Sequence, residues 1–168
     1  VDNDSVGLAV ADNTATAVGT YTTGNVSLTG AESFNYRLPD GVLNKSFEIV
    51  KAILTVTPNN NTIIYGQEAA SDGVTYTGYA VGENSGNVTV TVNSPILYAF
   101  DYARYDDVGN YTITVTDISG LSADNYDFVI GETAVLTVDK ATLTDTSVGY
   151  TGIYDGETHY ITVNASGF

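Results

Sequence analysis

The chain has no cysteine, no methionine and no tryptophan in 168 residues. Without cysteine there is no disulfide framework, no thiol chemistry and no thiolate metal site. Cations are nearly as scarce: five Lys and Arg stand against twenty Asp and Glu, for a formal charge of −15. Nucleic acid and anionic membranes are recognised through clustered Lys and Arg, so neither is an expected partner. The single histidine, His159, lies beside Tyr160 with no nucleophile or second ligand nearby in sequence, and reads as a structural or surface residue. Long apolar runs are missing too. Gly7–Ala11 and Ile96–Phe100 fall far short of the roughly 20 residues of a spanning helix. No signal peptide is present, so for an exported protein the targeting and anchoring segments are expected outside this stretch.

What is there points to strands. Apolar residues make up 43% of the chain and the mean hydropathy is +0.02, values that suit a folded protein rather than a disordered one. They are mainly Val, Ile, Leu and Tyr beside many Thr, which suit a pleated, half-buried surface and lose side-chain freedom in a helix. Richness in Thr, Asn and Gly with few cations points to an exported, extracellular protein. The charge reads as solubility and self-repulsion. The pairs Asp2/Asp4 and Asp106/Asp107 are weak calcium candidates, because neither has the ordered spacing of a calcium loop.

Self-similarity is the strongest signal. Val18-Gly19-Thr20-Tyr21-Thr22 matches Val108-Gly109-Asn110-Tyr111-Thr112, and Asn35-Tyr36 matches Asn125-Tyr126, both 90 residues on. Lys51-Ala52 matches Lys140-Ala141, and Ile64-Tyr65-Gly66 matches Ile153-Tyr154-Asp155-Gly156, both 89 residues on from lysine to lysine and tyrosine to tyrosine. These landmarks divide the chain into the C-terminal half of one β module (1–51), a complete module (52–140) and the N-terminal part of a third (141–168). Two arrangements are open: a window onto a longer tandem array, or subunits that complete each other's half-modules head to tail by strand donation.

Period-two alternation marks the strands: Leu54 and Val56 against Ile53, Thr55 and Thr57; Val88, Val90 and Val92 against Thr89 and Thr91; Tyr111, Ile113 and Val115 against Thr112, Thr114 and Thr116; and Val135–Val138. Asp72-Gly73, Gly82–Gly86 and Asp155-Gly156 punctuate them, and Pro39, Pro58 and Pro95 fall at strand ends or in loops. Little helix is expected. The best place for a short helix or irregular arm is Pro95–Asp107, and Ser119–Asn125 is a candidate single turn.

In these residues the chain resembles the MBG and YDG-type repeat modules found in tandem in bacterial fibrillar adhesins. The marks are the Lys-Ala-x-Leu-Thr-Val start, Ile64-Tyr65-Gly66, Tyr76-Thr77-Gly78-Tyr79, Gly82-Glu83, Val108-Gly109-x-Tyr111, Asn125-Tyr126 and the closing Leu136-Thr137-Val138-x-Lys140-Ala141. Tyr154-Asp155-Gly156 opens the third module. The resemblance implies an all-β chain of elongated tandem modules, β-grasp-like or an Ig-like sandwich, serving as a stalk spacer for a distal adhesive domain.

No constellation for catalysis, cofactor or metal stands out. There is no phosphate-cradling loop, no nucleophile elbow and no evident sugar cleft between paired acids. Tyr98, Phe100, Tyr102 and Tyr105 form an aromatic concentration that either fills a core or joint, or stacks on sugars. Lys51 and Lys140 are the candidates for an intramolecular isopeptide bond, against the plainer role of covering apolar surface at a module joint. Sequons at Asn3, Asn25, Asn44, Asn60, Asn87, Asn110 and Asn164 are acceptor candidates if the source glycosylates. The expected function is a structural, non-enzymatic repeat segment of a secreted or cell-surface fibrillar protein: an adhesin stalk or surface filament spacer. Neighbouring modules or subunits are its partners. The alternatives are a carbohydrate- or protein-binding module using segment 95–107, with surface glycans as partner, or a strand-donating filament subunit.

Overall fold

The computed structural model describes residues 5–11, 14–22, 24–38 and 45–167. Asp2, Asn3, Asp4, Pro39 and Asn44 lie outside them. The first strands are β1 (Gly7–Val10), β2 (Gly19–Thr22), β3 (Val26–Thr29) and β4 (Ser46–Ile49), with one 3-10 turn at Ser33–Asn35. There follow β5 (Ala52–Pro58), β6 (Asn61–Ile64), β7 (Val74–Thr77), β8 (Thr91–Val92) and β9 (Leu97–Phe100). The last are β10 (Gly109–Asp117), β11 (Leu121–Ser122), β12 (Tyr126–Ile130), β13 (Ala134–Asp139), β14 (Thr144–Asp145) and β15 (Ala165–Ser166). No α-helix occurs among the described residues, and the chain is all-β as its composition predicts.

Two compact units divide the chain. One comprises Val1–Ile53, Tyr79–Val90 and Ser122–Asp127; the other comprises Leu54–Gly78, Thr91–Leu121 and Phe128–Phe168. The larger sheets are four-stranded, in the order β6-β13-β10-β9, and three-stranded, in the order β12-β5-β7, which gives a sandwich-like module. Alternation decides which side chains leave water. In β13, Ala134, Leu136 and Val138 are buried while Val135 and Asp139 are exposed; in β10, Ile113 and Val115 are buried. Ile63, Tyr102, Ile113, Ala134, Leu136 and Val138 form one cluster, with Tyr98, Phe100 and Tyr111 packed against it. In β5 the buried residues are Leu54, Val56 and Pro58. Each fully buried aliphatic side chain contributes about 1.5–3 kcal/mol relative to exposure.

Two stretches depart from expectation. Pro95–Asp107 is neither a helix nor a free arm at its start: Leu97–Phe100 is strand β9, antiparallel to β10. Period-two spacing puts Tyr98 and Phe100 on the core side, where their rings stack at 6.4 Å. The alternating run Val88–Val92 pairs only at Thr91–Val92. A local turn precedes it: Asn87 Oδ1 accepts the Asn84 N–H at 2.7 Å, Asn84 Oδ1 accepts the Gly86 N–H at 2.8 Å, and the Val88 N–H bonds the Asn84 carbonyl at 3.0 Å. Such local bonds offer the backbone an alternative to a ladder. In Ser119–Asn125, the turn runs from Ile118 to Leu121, closed by a 3.0 Å backbone bond. Gly120 is required there, because a Cβ would sit 2.3–2.6 Å from Ser94 Oγ, O and N.

The strand registers repeat. Gly19, Thr20, Tyr21 and Thr22 face Ile49, Glu48, Phe47 and Ser46. Gly109, Asn110, Tyr111 and Thr112 face Val138, Thr137, Leu136 and Val135, the same ladder displaced by 90 residues on one strand and 89 on the other. Likewise Thr55 and Val56 face Thr77 and Tyr76, while Thr144 and Asp145 face Ser166 and Ala165, displaced by 89 on both strands. The two tyrosines of the first ladder also brace their strands alike. Tyr21 donates to the Ala17 carbonyl at 2.8 Å, and Tyr111 to the Asp107 carbonyl at 2.6 Å.

Leu136→Ala, at the centre of the buried cluster, should cost about 2–5 kcal/mol in urea denaturation. Leu143→Ala, at a side chain 53% exposed, should change stability by less than about 0.5 kcal/mol.

Candidate functional site

The passage from β4 into β5 is Val50-Lys51, and in its unit it meets the turn Ala80–Glu83 and the segment before β12. Asn125 accepts twice, its carbonyl from the Ala52 N–H at 2.9 Å and its side-chain oxygen from the Val18 N–H at 3.4 Å. Lys51 Nζ reaches the carbonyls of Ala123 at 3.3 Å and Tyr126 at 3.5 Å, and Asp127 Oδ1 at 3.5 Å. Tyr126 anchors the cluster. It is 2% exposed and lies edge-on to Tyr79 with ring centroids 6.1 Å apart. Its hydroxyl accepts the Ala80 N–H at 2.9 Å and donates to Glu83. The Ala80–Glu83 turn closes through a 3.0 Å bond from the Glu83 N–H to the Ala80 carbonyl, with Gly82 at φ 87°. Residues 16–18, 49–52, 79–83 and 122–127 are thus tied together by a hydrogen-bonded joint.

The Lys51–Asp127 contact is an ion pair whose side chains are 39% and 64% exposed. Its 3.5 Å separation is that of an ion pair, which in so exposed a setting is a weak contact. Lys140, its repeat partner, lines a groove in the other unit instead. That groove, of about 770 Å³, is also lined by Tyr65, Gly66, Gln67, Arg104 and Tyr105. Gly66 at φ 89° turns the chain, and Gln67 clamps the turn by accepting the Ile64 N–H at 2.8 Å. The aromatic concentration therefore splits. Tyr98, Phe100 and Tyr102 belong to the core, with Tyr102 donating to the Gln67 carbonyl at 3.1 Å, whereas Tyr105 is 60% exposed on the groove. In the sequence Tyr65 and Tyr126 stand out as repeat landmarks and marks of the family resemblance, and Glu83 only as one of those marks. Tyr105 stands at φ 75°, a backbone setting that its place in the aromatic concentration does not announce.

Other candidates have local roles. His159 Nε2 lies 2.8 Å from Asp155 Oδ1, and its ring stacks on Tyr150 at 4.8 Å. Asp106 accepts the Ala103 N–H at 2.8 Å within its turn. Among the described residues no group of three or more His, Asp or Glu could hold a metal ion. Of the sequons, Asn87 donates its amide to the Gly82 carbonyl at 3.0 Å, while Asn60 and Asn110 accept from Val135 and Thr137. No helix among the described residues is long and apolar enough to cross a membrane.

The profile of the MBG domain (YGX type) matches residues 54–137, half of the chain. Within that span Tyr65-Gly66-Gln67 spells the YGX sequence. The chain belongs to the MBG family. Neither a curated protein nor a solved structure matches it. The match spans both ladders of the MBG module's sheets, from the buried Leu54 to Thr137 beside the buried Leu136.

Titration marks the joint and the braces. Tyr126 is raised above the ordinary phenol value, first by its bond to Glu83, and Tyr111 first by desolvation and then by Asp106 and Asp107. A raised value in the folded state stabilises fully below the ordinary phenol value of about 10, and that stability is lost as pH rises through the folded value. Asp117, Asp145 and Asp155 are lowered, chiefly by hydrogen bonds from Ser119, Ser147 and the Glu157 N–H, and their contribution is lost as pH falls below the carboxylate range. Denaturation midpoints should therefore fall on both the acid and the alkaline side. Tyr126→Phe should lower the midpoint at neutral pH and flatten the alkaline arm, checked by urea melts from pH 7 to 11.

Proposed function

We propose that this chain is a structural repeat segment of a secreted or cell-surface fibrillar protein, a spacer in an adhesin stalk or surface filament. Its modules are residues 1–51, the second half of one; 52–140, a complete one; and 141–168, the start of a third. The observation that carries the reading is the recurrence of two ladders in one register at a spacing of 89–90 residues. A chain that repeats the same packed unit adds length with each copy, because each unit needs only its neighbours to complete it.

The joint supports the same reading. A spacer transmits position only if successive modules are held by more than a flexible peptide, and Asn125, Tyr126 and Lys51 supply backbone and side-chain bonds there. The net charge of −15 keeps such a chain soluble and discourages lateral association. This role needs no catalysis, cofactor or metal, and its partners are neighbouring modules of the same protein. The strongly acidic, cysteine-free composition fits an extracellular location.

The test is length against copy number. Chains carrying one, two and three copies of residues 52–140 in their native succession should show a maximum dimension in X-ray scattering that rises linearly with copy number. Growth with about the square root of copy number, the behaviour of freely jointed beads, would contradict a stiff spacer. Replacing Asn125 by alanine in every copy should move the series towards that weaker dependence.

A further inference from the structure

Of the five Lys and Arg in the whole chain, Arg104 and Lys140 line one groove, and no Asp or Glu lines it with them. Around it the protein is strongly acidic, so this local gathering of positive charge runs against the composition. The groove's aromatic wall is Tyr65 and Tyr105, set edge-on at 6.2 Å and 41% and 60% exposed.

The wall is built rather than loose. Arg104 Nε donates to the Gly66 carbonyl at 2.7 Å, its Nη1 lies 3.4 Å from Glu68 Oε1, and its guanidinium sits 4.8 Å over the Tyr105 ring. Tyr105 is the one non-glycine residue with positive φ among the described residues, at 75°. Backbone strain of this kind persists only where the surroundings over-determine it, and it collects at ligand clamps. The exposed Glu68 contact is a weak, screened pair that leaves other guanidinium donors for a ligand.

All the lining residues, among them Tyr65–Gln67, Arg104, Tyr105, Val108 and Lys140, lie in turns and connections outside the strands. No sheet edge is offered, so an extended peptide cannot add itself as a strand. Aromatic faces beside polar donors suit a pyranose ring, and paired cations suit a carboxylate. The charge of −15 opposes a long polyanion, which favours one acidic residue over an acidic polymer.

We propose that this groove binds a carboxylate-bearing sugar residue, packed against the exposed Tyr105 and Tyr65 rings and held by Arg104 and Lys140. The site goes beyond the spacer role and does not depend on it: binding is read on the single chain, stiffness on the multi-copy series.

The test is a nitrogen-15 NMR titration of the full chain with three probes. They are a glucuronyl-N-acetylglucosamine disaccharide, its neutral glucosyl counterpart, and an acetylated Ala-Glu-Ala amide. The acidic disaccharide should shift the Gly66 and Tyr105 amides and the Arg104 Nε–H, with affinity at least about tenfold above the neutral sugar, as one charge-assisted bond implies. Lys140→Gln and Arg104→Gln should each weaken it several-fold, and Arg37→Gln should not. Lys140 is exposed, so its variant reports on binding even if Arg104→Gln disturbs the turn. Equal affinity for the neutral sugar, binding of the peptide as tight as that of the acidic sugar, retention of affinity in Lys140→Gln, or no shift with any probe would overturn the proposal.

Discussion

Strand β10 lies between β9 and β13, and its pairing with β13 decides what the rest of the MBG module can do. Tyr111 faces Leu136 and Ile113 faces Ala134, so the buried sides of both strands coincide. A slip of one residue would send Ile113 and Val115 to the opposite face and expose the cluster to water. The same register carries Lys140 out of the sheet beside the Tyr65 turn, since β13 also pairs in parallel with β6, Asp139 against Ile64. Core, brace and groove wall thus follow from one alignment.

At the joint, polar groups do the tying. Tyr126 is almost fully buried, and its hydroxyl serves Ala80 and Glu83 at once, so the ring can leave water without an unsatisfied oxygen. Lys51 and Lys140 occupy equivalent places in the repeat, yet their surroundings differ. The first is engaged by Ala123, Tyr126 and Asp127, and the second lines an open groove. A repeat shares its ladders without sharing every contact.

Much of this was legible in the sequence, for a physical reason: alternation and turn residues are local. Leu54 and Val56, Tyr111, Ile113 and Val115, and the landmarks at 89–90 residues are readable without knowing any partner strand. The parallel pairing of Asn61 with Leu136 is not, because nothing local announces which distant strand will lie alongside. Val88–Val92 misled because the turn before it, held by Asn84 and Asn87, takes the Val88 N–H into a bond with the Asn84 carbonyl. Segment 95–107 was rightly singled out as aromatic, but strand periodicity sends Tyr98 and Phe100 to the core side and leaves the groove to Arg104 and Tyr105. Their partner Tyr65 lies far upstream, and its pairing with Tyr105 is a tertiary fact.

The central claim is that one β building block recurs in register, and nuclear Overhauser contacts between facing strands measure it directly. The account predicts cross-strand contacts joining Tyr21 to Phe47 and Tyr111 to Leu136, and likewise Thr55 to Thr77 and Thr144 to Ser166. A partner displaced by even one residue in one ladder of either pair, or a ladder without such contacts, would contradict it.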